Sequence, residues 1–296
     1  MPVTNLPRAA LFMVGAALLF ALMSVMVKVL SHSIPNAMVV FLRSGVSLLV
    51  LLPIIFHGGR ARLHTRHLRE HLVRGSVGMA AMYCFFYGIA KLGLAEALLL
   101  NYSLPLFIPL VERAWLGEPI AAGIWRPISI GMLGLVLILK PGLGLFQPAA
   151  LVGVLGALFA AIAQVGVRRL TLTESVTTIV FYFSICSTMI GLGPALLAWV
   201  TPAASTIPAI VGMVVAGTLA QLMMTRAYQL APAAQVGPFI YGSVAFAALF
   251  DWLLFSRHPD GLSSLGTVLV VAAGILALRG RRKSARARPS VSTLTE

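Results

Sequence analysis

Acidic residues are scarce in this chain. There are eight among 296, and charged residues of both signs reach only 10%, where a soluble domain typically carries roughly 25%. So few charges cannot wet the surface of a globule this size. With 59% hydrophobic residues the apolar surplus needs lipid as its solvent, which excludes an ordinary soluble fold. Cysteine is nearly absent. Cys84 and Cys186 each lie inside an apolar stretch, so no disulfide framework is indicated.

What is plentiful is positive charge: 22 Lys and Arg give a net +14. Half lie in two tracts, Arg60 to Arg74 and Arg279 to Arg288, and both flank apolar segments. That distribution is a topology signal, whereas a nucleic-acid interface would place its basic patch on a soluble module. No nucleic-acid partner is expected.

Residues 9–27 form the first uncharged run. It is too long for the apolar core of a signal peptide, and Lys28-Val29-Leu30 is no small-residue cleavage site. Further spans are expected at 37–56, 72–91, 94–116, 126–140 and 149–168. The stretch 175–225, without a charge, supplies two spans with a break near Pro202 and Pro208, and 232–254 and 262–278 complete ten. With a cytoplasmic N-terminus, only Lys28, Arg43, Lys91, Lys140 and Arg257 of the 22 basic residues fall on the outer side, so both termini are expected inside.

The chain matches itself at a shift of about 140 residues. Gly15-Ala16-Ala17-Leu18-Leu19-Phe20-Ala21 resembles Leu155-Gly156-Ala157-Leu158-Phe159-Ala160-Ala161, Lys28 lines up with Arg168, and Glu112 with Asp251. Five spans per half is an odd number, so the second half must enter the membrane from the opposite side. The expected fold is an all-α membrane protein of ten transmembrane helices in two inverted five-helix repeats, at 8–141 and 149–279, followed by a basic cytoplasmic tail at 280–296. Inverted repeats provide two pseudo-symmetric states, the basis of alternating access, which favours a carrier over a channel.

Several sequence features together resemble the EamA-type branch of the drug/metabolite transporter superfamily. They are Phe20-Ala21 followed by Lys28, Phe41-Leu42-Arg43-Ser44, Tyr102-Ser103-Leu104-Pro105-Leu106-Phe107, Leu116-Gly117-Glu118, Gly131-Met132-Leu133-Gly134 and Lys140-Pro141-Gly142. The resemblance covers roughly residues 9–278. It implies a secondary carrier of the bacterial inner membrane, with a central cavity lined mainly by spans 1, 3, 4, 6, 8 and 9. The second half departs from the pattern at Ser256-Arg257-His258-Pro259, where a Leu-Gly-Glu does not recur.

Arg43 is the most costly residue, a charge set seven residues into a span. Two readings stay open: a clamp for a substrate carboxylate, or a structural arginine capping helix carbonyls. Tyr83, Asn101, Tyr102, Gln164, Gln221 and Tyr241 are further candidates for lining a neutral, aromatic, hydrogen-bonding cavity. Ser103, Tyr87 and Gln235 offer comparable groups. For each, bonding between helices is the plainer alternative. Lys28 at the outer end of the first span is more simply a snorkelling lysine, and Glu112 and Asp251 are more simply solvated or paired than proton-coupling.

His67-Leu68-Arg69-Glu70-His71 matches the H-x-x-E-H of a metalloprotease family, with His64 nearby. Read as a short loop crowded with arginines it repels a dication, so neither an enzyme nor a cofactor is expected. The expected cargo is a small amphipathic zwitterion, an amino acid or a compound derived from one such as an opine-type metallophore, moved by export. The alternative is uptake of riboflavin or S-adenosylmethionine. Partners are the substrate and the bilayer, with a homodimer left open.

Overall fold

The computed structural model describes residues 5–57, 65–92, 94–121, 123–256 and 258–286. Among them there is no strand. The first half contains α1 (Leu6–Leu30), α2 (Asn36–His57), α3 (Leu68–Leu92), α4 (Leu94–Asn101), α5 (Leu104–Leu116) and α6 (Trp125–Leu139). The second half repeats the series with α7 (Ala149–Leu170), α8 (Val176–Leu197), α9 (Ile207–Leu230), α10 (Ala233–Val236), α11 (Gly242–Phe255) and α12 (Gly261–Arg286). Eight helical segments are long and apolar enough to cross a membrane, the α10–α11 segment counting as one. The tandem α4–α5 and the 15-residue α6 bring the number of crossings to the expected ten.

Local chemistry sets the ends. The Asn5 side chain accepts the Arg8 amide at 3.2 Å to cap α1, and Ser175 caps α8 by accepting the Thr178 amide at 3.2 Å. The segment 94–116, expected as one helix, is broken at Tyr102–Ser103. Pro105 has no N–H for the carbonyl four residues earlier, and the Ser103 hydroxyl answers the local loss by donating to the Leu100 carbonyl at 2.6 Å. The counterpart break in the second half is a 3-10 turn over Gly237–Tyr241 that contains Pro238. α3 begins at Leu68, so Arg69, Glu70 and His71 belong to a helix and not to the loop expected from the sequence.

The halves interlock. α1 packs chiefly on α9 and, equivalently, α3 on α7, while α2 crosses α8 and α6 crosses α12. Lipid-like surroundings give apolar helices no hydrophobic reason to associate, so close approach through small residues matters. α1 accordingly buries Ala9, Ala10, Ala16, Ala17 and Ala21. At the α6–α12 crossing, a Cβ on Gly134 would stand 2.7 Å from the Gly266 carbonyl, and one on Gly266 would stand 2.6 Å from that of Gly134. Only glycine permits that contact. Outside, Leu11, Leu110, Leu151, Met189, Leu253 and Val268 form part of an exposed apolar surface that suits acyl chains.

Candidate functional site

A narrow crevice lies where α2 meets α8 and α9. It is lined by Arg43, Ser44 and Ser47 from α2, Val180, Phe183 and Ser184 from α8, and Gly217, Thr218 and Gln221 from α9. Gly217 makes room for the arginine, since a Cβ there would sit 3.2 Å from Nε of Arg43. Ser47 and Thr218 join their hydroxyls at 2.6 Å, tying α2 to α9 beside it. The repeat is visible at residue level: Arg43-Ser44 and Ser47 correspond at a shift of 140 to Phe183-Ser184 and Ser187, and all four serines are buried. In this conformation the crevice has room for about one water molecule.

Of the sequence candidates, the structure brings Arg43 and Gln221 together here. Among the described residues, no carbonyl or carboxylate accepts a hydrogen bond from Arg43, so the helix-capping alternative is not what is seen. Asn101 lies elsewhere, in a second crevice between α3, α4 and α7 with Cys84, Ala97, Gly153 and Gly156. Tyr102 and Tyr241 share an apolar cluster with Leu99, Leu135, Val244 and Val270. Ser243 joins the two helix breaks: its Oγ is 2.8 Å from Oη of Tyr102 and 2.7 Å from the Ile240 carbonyl. With one proton to give, Ser243 donates to the carbonyl and accepts from the tyrosine. Tyr241 is fully buried against Gly131 and its hydroxyl lacks a partner among the described residues. Tyr83 and Tyr87 stand about two-fifths exposed on α3. Gln164 is half-buried on α7 with an unpartnered Oε1, as is Gln235 on α10. The expected single cavity is therefore at least three separate clusters. The crevice holding Arg43 is built on spans 2, 7 and 8, of which only span 8 was expected to line a cavity.

Arg74 was assigned to the basic tract by sequence. It stands six residues into α3, is 4% exposed, and lies over the Phe183 ring with its guanidinium carbon 3.7 Å from the centroid. Its Nε has no acceptor. The signal was available: Arg74 is followed by an uncharged run that begins Gly75-Ser76-Val77-Gly78, and Gly78 is the residue that admits its guanidinium.

The repeat also places counterpart charged residues at the two ends of the bundle. At one end Lys28 donates to Asp251 at 2.7 Å, with about two-fifths of each side chain exposed. Lys28 thus has a carboxylate partner and is not simply snorkelling. At the other end the counterparts are Arg168 and Glu112, both almost fully buried. Arg168 donates to the Tyr228 carbonyl at 2.8 Å and reaches Glu118 at 3.4 Å. Glu112 is neither solvated nor in a simple ion pair. Its carboxylate accepts the Ala233 and Ala234 amides, the latter at 2.9 Å, and caps α10. His67 and His71 diverge: His67 is over a third exposed beside Glu70, while His71 is buried and stacked on Tyr182 at 4.5 Å between centroids. His64 lies outside the described residues, as do Arg257 and the tail beyond residue 286.

Comparison with known proteins agrees with this architecture. The EamA-like transporter family model matches residues 7–140 and again 147–279. The chain is 32% identical over 279 residues to the pseudopaline exporter CntI of Pseudomonas aeruginosa, covering 94% of this chain and 98% of that protein. It is 27% identical over 260 residues to an S-adenosylmethionine uptake transporter of Rickettsia felis, with 88% of each covered. A solved crystal structure superposes with a TM-score of 0.80 at 20% identity, covering 94% of this chain and 99% of that one, and so shares the fold. Matched in both halves, the chain belongs to the EamA-like transporter family and is a multi-pass membrane transporter rather than an enzyme.

Proposed function

We propose that this transporter exports a small amphipathic zwitterion, an amino acid or amino-acid-derived compound, across the bacterial inner membrane by alternating access. The observation that carries the reading is Arg43, a guanidinium set among α2, α8 and α9 with no carboxylate of the described residues against it. A substrate carboxylate supplies the missing charge and fits the fork bidentately. Gln221 and the serines beside it offer neutral hydrogen bonds to the rest of the molecule. The 32% identity to the pseudopaline exporter supports the same direction.

The counterpart charged residues at the two ends support the mechanism. With both termini cytoplasmic, the Glu112–Arg168 end faces inward and is sealed in buried hydrogen bonds, while the Lys28–Asp251 end faces outward and is held by a half-exposed pair. Inverted repeats let these arrangements exchange. A bond network closing one side in one state has its counterpart closing the other side in the next.

The test is uptake into everted vesicles loaded by dilution. Export in the cell appears as accumulation inside everted vesicles, and Arg43→Ala is expected to abolish it while the protein remains inserted. Full transport by Arg43→Ala would remove the carboxylate clamp. The 27% identity to an S-adenosylmethionine carrier supports a second reading, uptake of a cofactor-like molecule. Accumulation confined to right-side-out vesicles would select it.

A further inference from the structure

We propose that Arg43 and Arg74 form one receptor for two carboxylates of the same molecule, so that the cargo is an amino-acid-derived diacid. This inference rests on reading the Arg43 crevice as the substrate site, and deepens it.

The two arginines come from different helices and converge on Phe183. Arg43 lines the crevice together with that ring, and Arg74 lies on the ring at 3.7 Å. Four other cations of the fold have carboxylate partners. The buried Arg168 has a carbonyl and Glu118, Arg169 has Glu70, Lys28 has Asp251 and Lys140 has Asp260. Among the described residues no carboxylate lies within 4.0 Å of Arg43 or Arg74.

The Phe183 ring does not close the account. It offers the Arg74 guanidinium its π-electrons but no acceptor for the five N–H donors, and Nε among them is buried without an acceptor among the described residues. The ring contact also leaves two like charges gathered around one side chain in an apolar bundle, an arrangement that needs anions. A monocarboxylate would neutralise one guanidinium and leave the other. A diacid neutralises both, each carboxylate held by its own fork. Because the crevice now has room for about one water, the diacid enters when the helices around it part.

The test measures binding to the full-length protein in nanodiscs by calorimetry. The probes are alanopine, which carries two carboxylates on one secondary amine, its monoamide, which carries one, and inorganic phosphate. Wild type is expected to bind alanopine at least tenfold tighter than the monoamide, with phosphate failing to compete. Arg74→Gln should erase the preference while still binding the monoamide, and Arg43→Gln should lose both probes. Arg74→Lys, which keeps the charge, should retain the preference at reduced affinity and stands in if the glutamine variant does not fold. Equal binding of diacid and monoamide by wild type would overturn the second carboxylate and leave the Arg43 reading intact, as would an unaltered preference in Arg74→Gln. Binding of neither probe, or probe binding that survives Arg43→Gln, would overturn both. Displacement of alanopine by phosphate at equal concentration would make the site a general anion site and overturn the diacid.

Discussion

Lys28 and Asp251 stand 223 residues apart in the chain and 2.7 Å apart in space, and the internal repeat that relates them to Arg168 and Glu112 makes their pairing one half of a symmetric design. The two halves of that design are unequally buried, so they should respond differently to mutation.

Because both members of the Lys28–Asp251 pair are about two-fifths exposed, water screens their attraction. Lys28→Met and Asp251→Asn should each change the transport rate by no more than about fivefold, with a coupling of about 1 kcal/mol or less in a double-mutant cycle. Exchange of the two charges, Lys28→Asp with Asp251→Lys, should recover most of the loss. Initial rates in vesicles at low and high salt measure this, with the coupling shrinking at high salt.

Glu112 presents the opposite case. Its buried carboxylate answers two amides at the start of α10. Glu112→Ala leaves both unsatisfied and should cost about 3 kcal/mol, whereas Glu112→Gln keeps one acceptor oxygen and should cost about half of that. Melting of the detergent-solubilised protein distinguishes them by rank.

Two helix ends share one conformation with different residues. Gly117 ends α5 at φ 68°, and Ser256 ends α11 at φ 53°. A side chain in that left-handed region costs about 1 kcal/mol. Ser256→Gly should therefore raise the melting temperature by about 1–3 °C, and Gly117→Ala should lower it by a similar amount.

Asp260 is about half exposed, and its hydrogen bond with Lys140, followed by its bonds with Ser263, holds its carboxyl well below the usual carboxylate range. A depressed value means the interaction helps the folded state in full above the ordinary carboxylate pKa of about 3.9 and fades as pH falls below it. Asp260→Asn should accordingly melt slightly below wild type at pH 7, and the gap should close under acid. A gap that widens on acidification would contradict the sign.

Much of the fold was legible because lipid imposes a simple rule. An uncharged run of sufficient length must be a helix, and the shared offset of weak matches exposed the repeat. Breaks at Tyr102–Ser103 and Gly237–Tyr241 were less so, since Pro105 and Pro238 mark lost hydrogen bonds but not whether the chain bends or kinks there. The site was only partly readable. Arg43 announced itself by the cost of its position, and Gln221 joined it. Arg74 was hidden by the arginines before it, because basic residues near a helix start ordinarily report topology. Tyr102, Tyr241 and Asn101 are polar groups in the right spans. Which of them share a space depends on how α3, α4, α7 and α11 are rotated, and hydropathy says nothing about rotation.

The interlocking of the halves has a consequence for how the protein is made. α1 finds its main partner in α9 and α2 finds its own in α8, so neither can complete its packing while only the first five spans have left the ribosome. Lys28, Arg43 and Arg74 enter the bilayer in that interval, and the carboxylate that pairs with Lys28 is still unsynthesised. The newborn first half is thus a provisional structure, held by whatever assists insertion until its later counterpart arrives. Halves expressed as separate polypeptides should therefore depend on each other for survival in the membrane, each being cleared by quality control when its mate is missing.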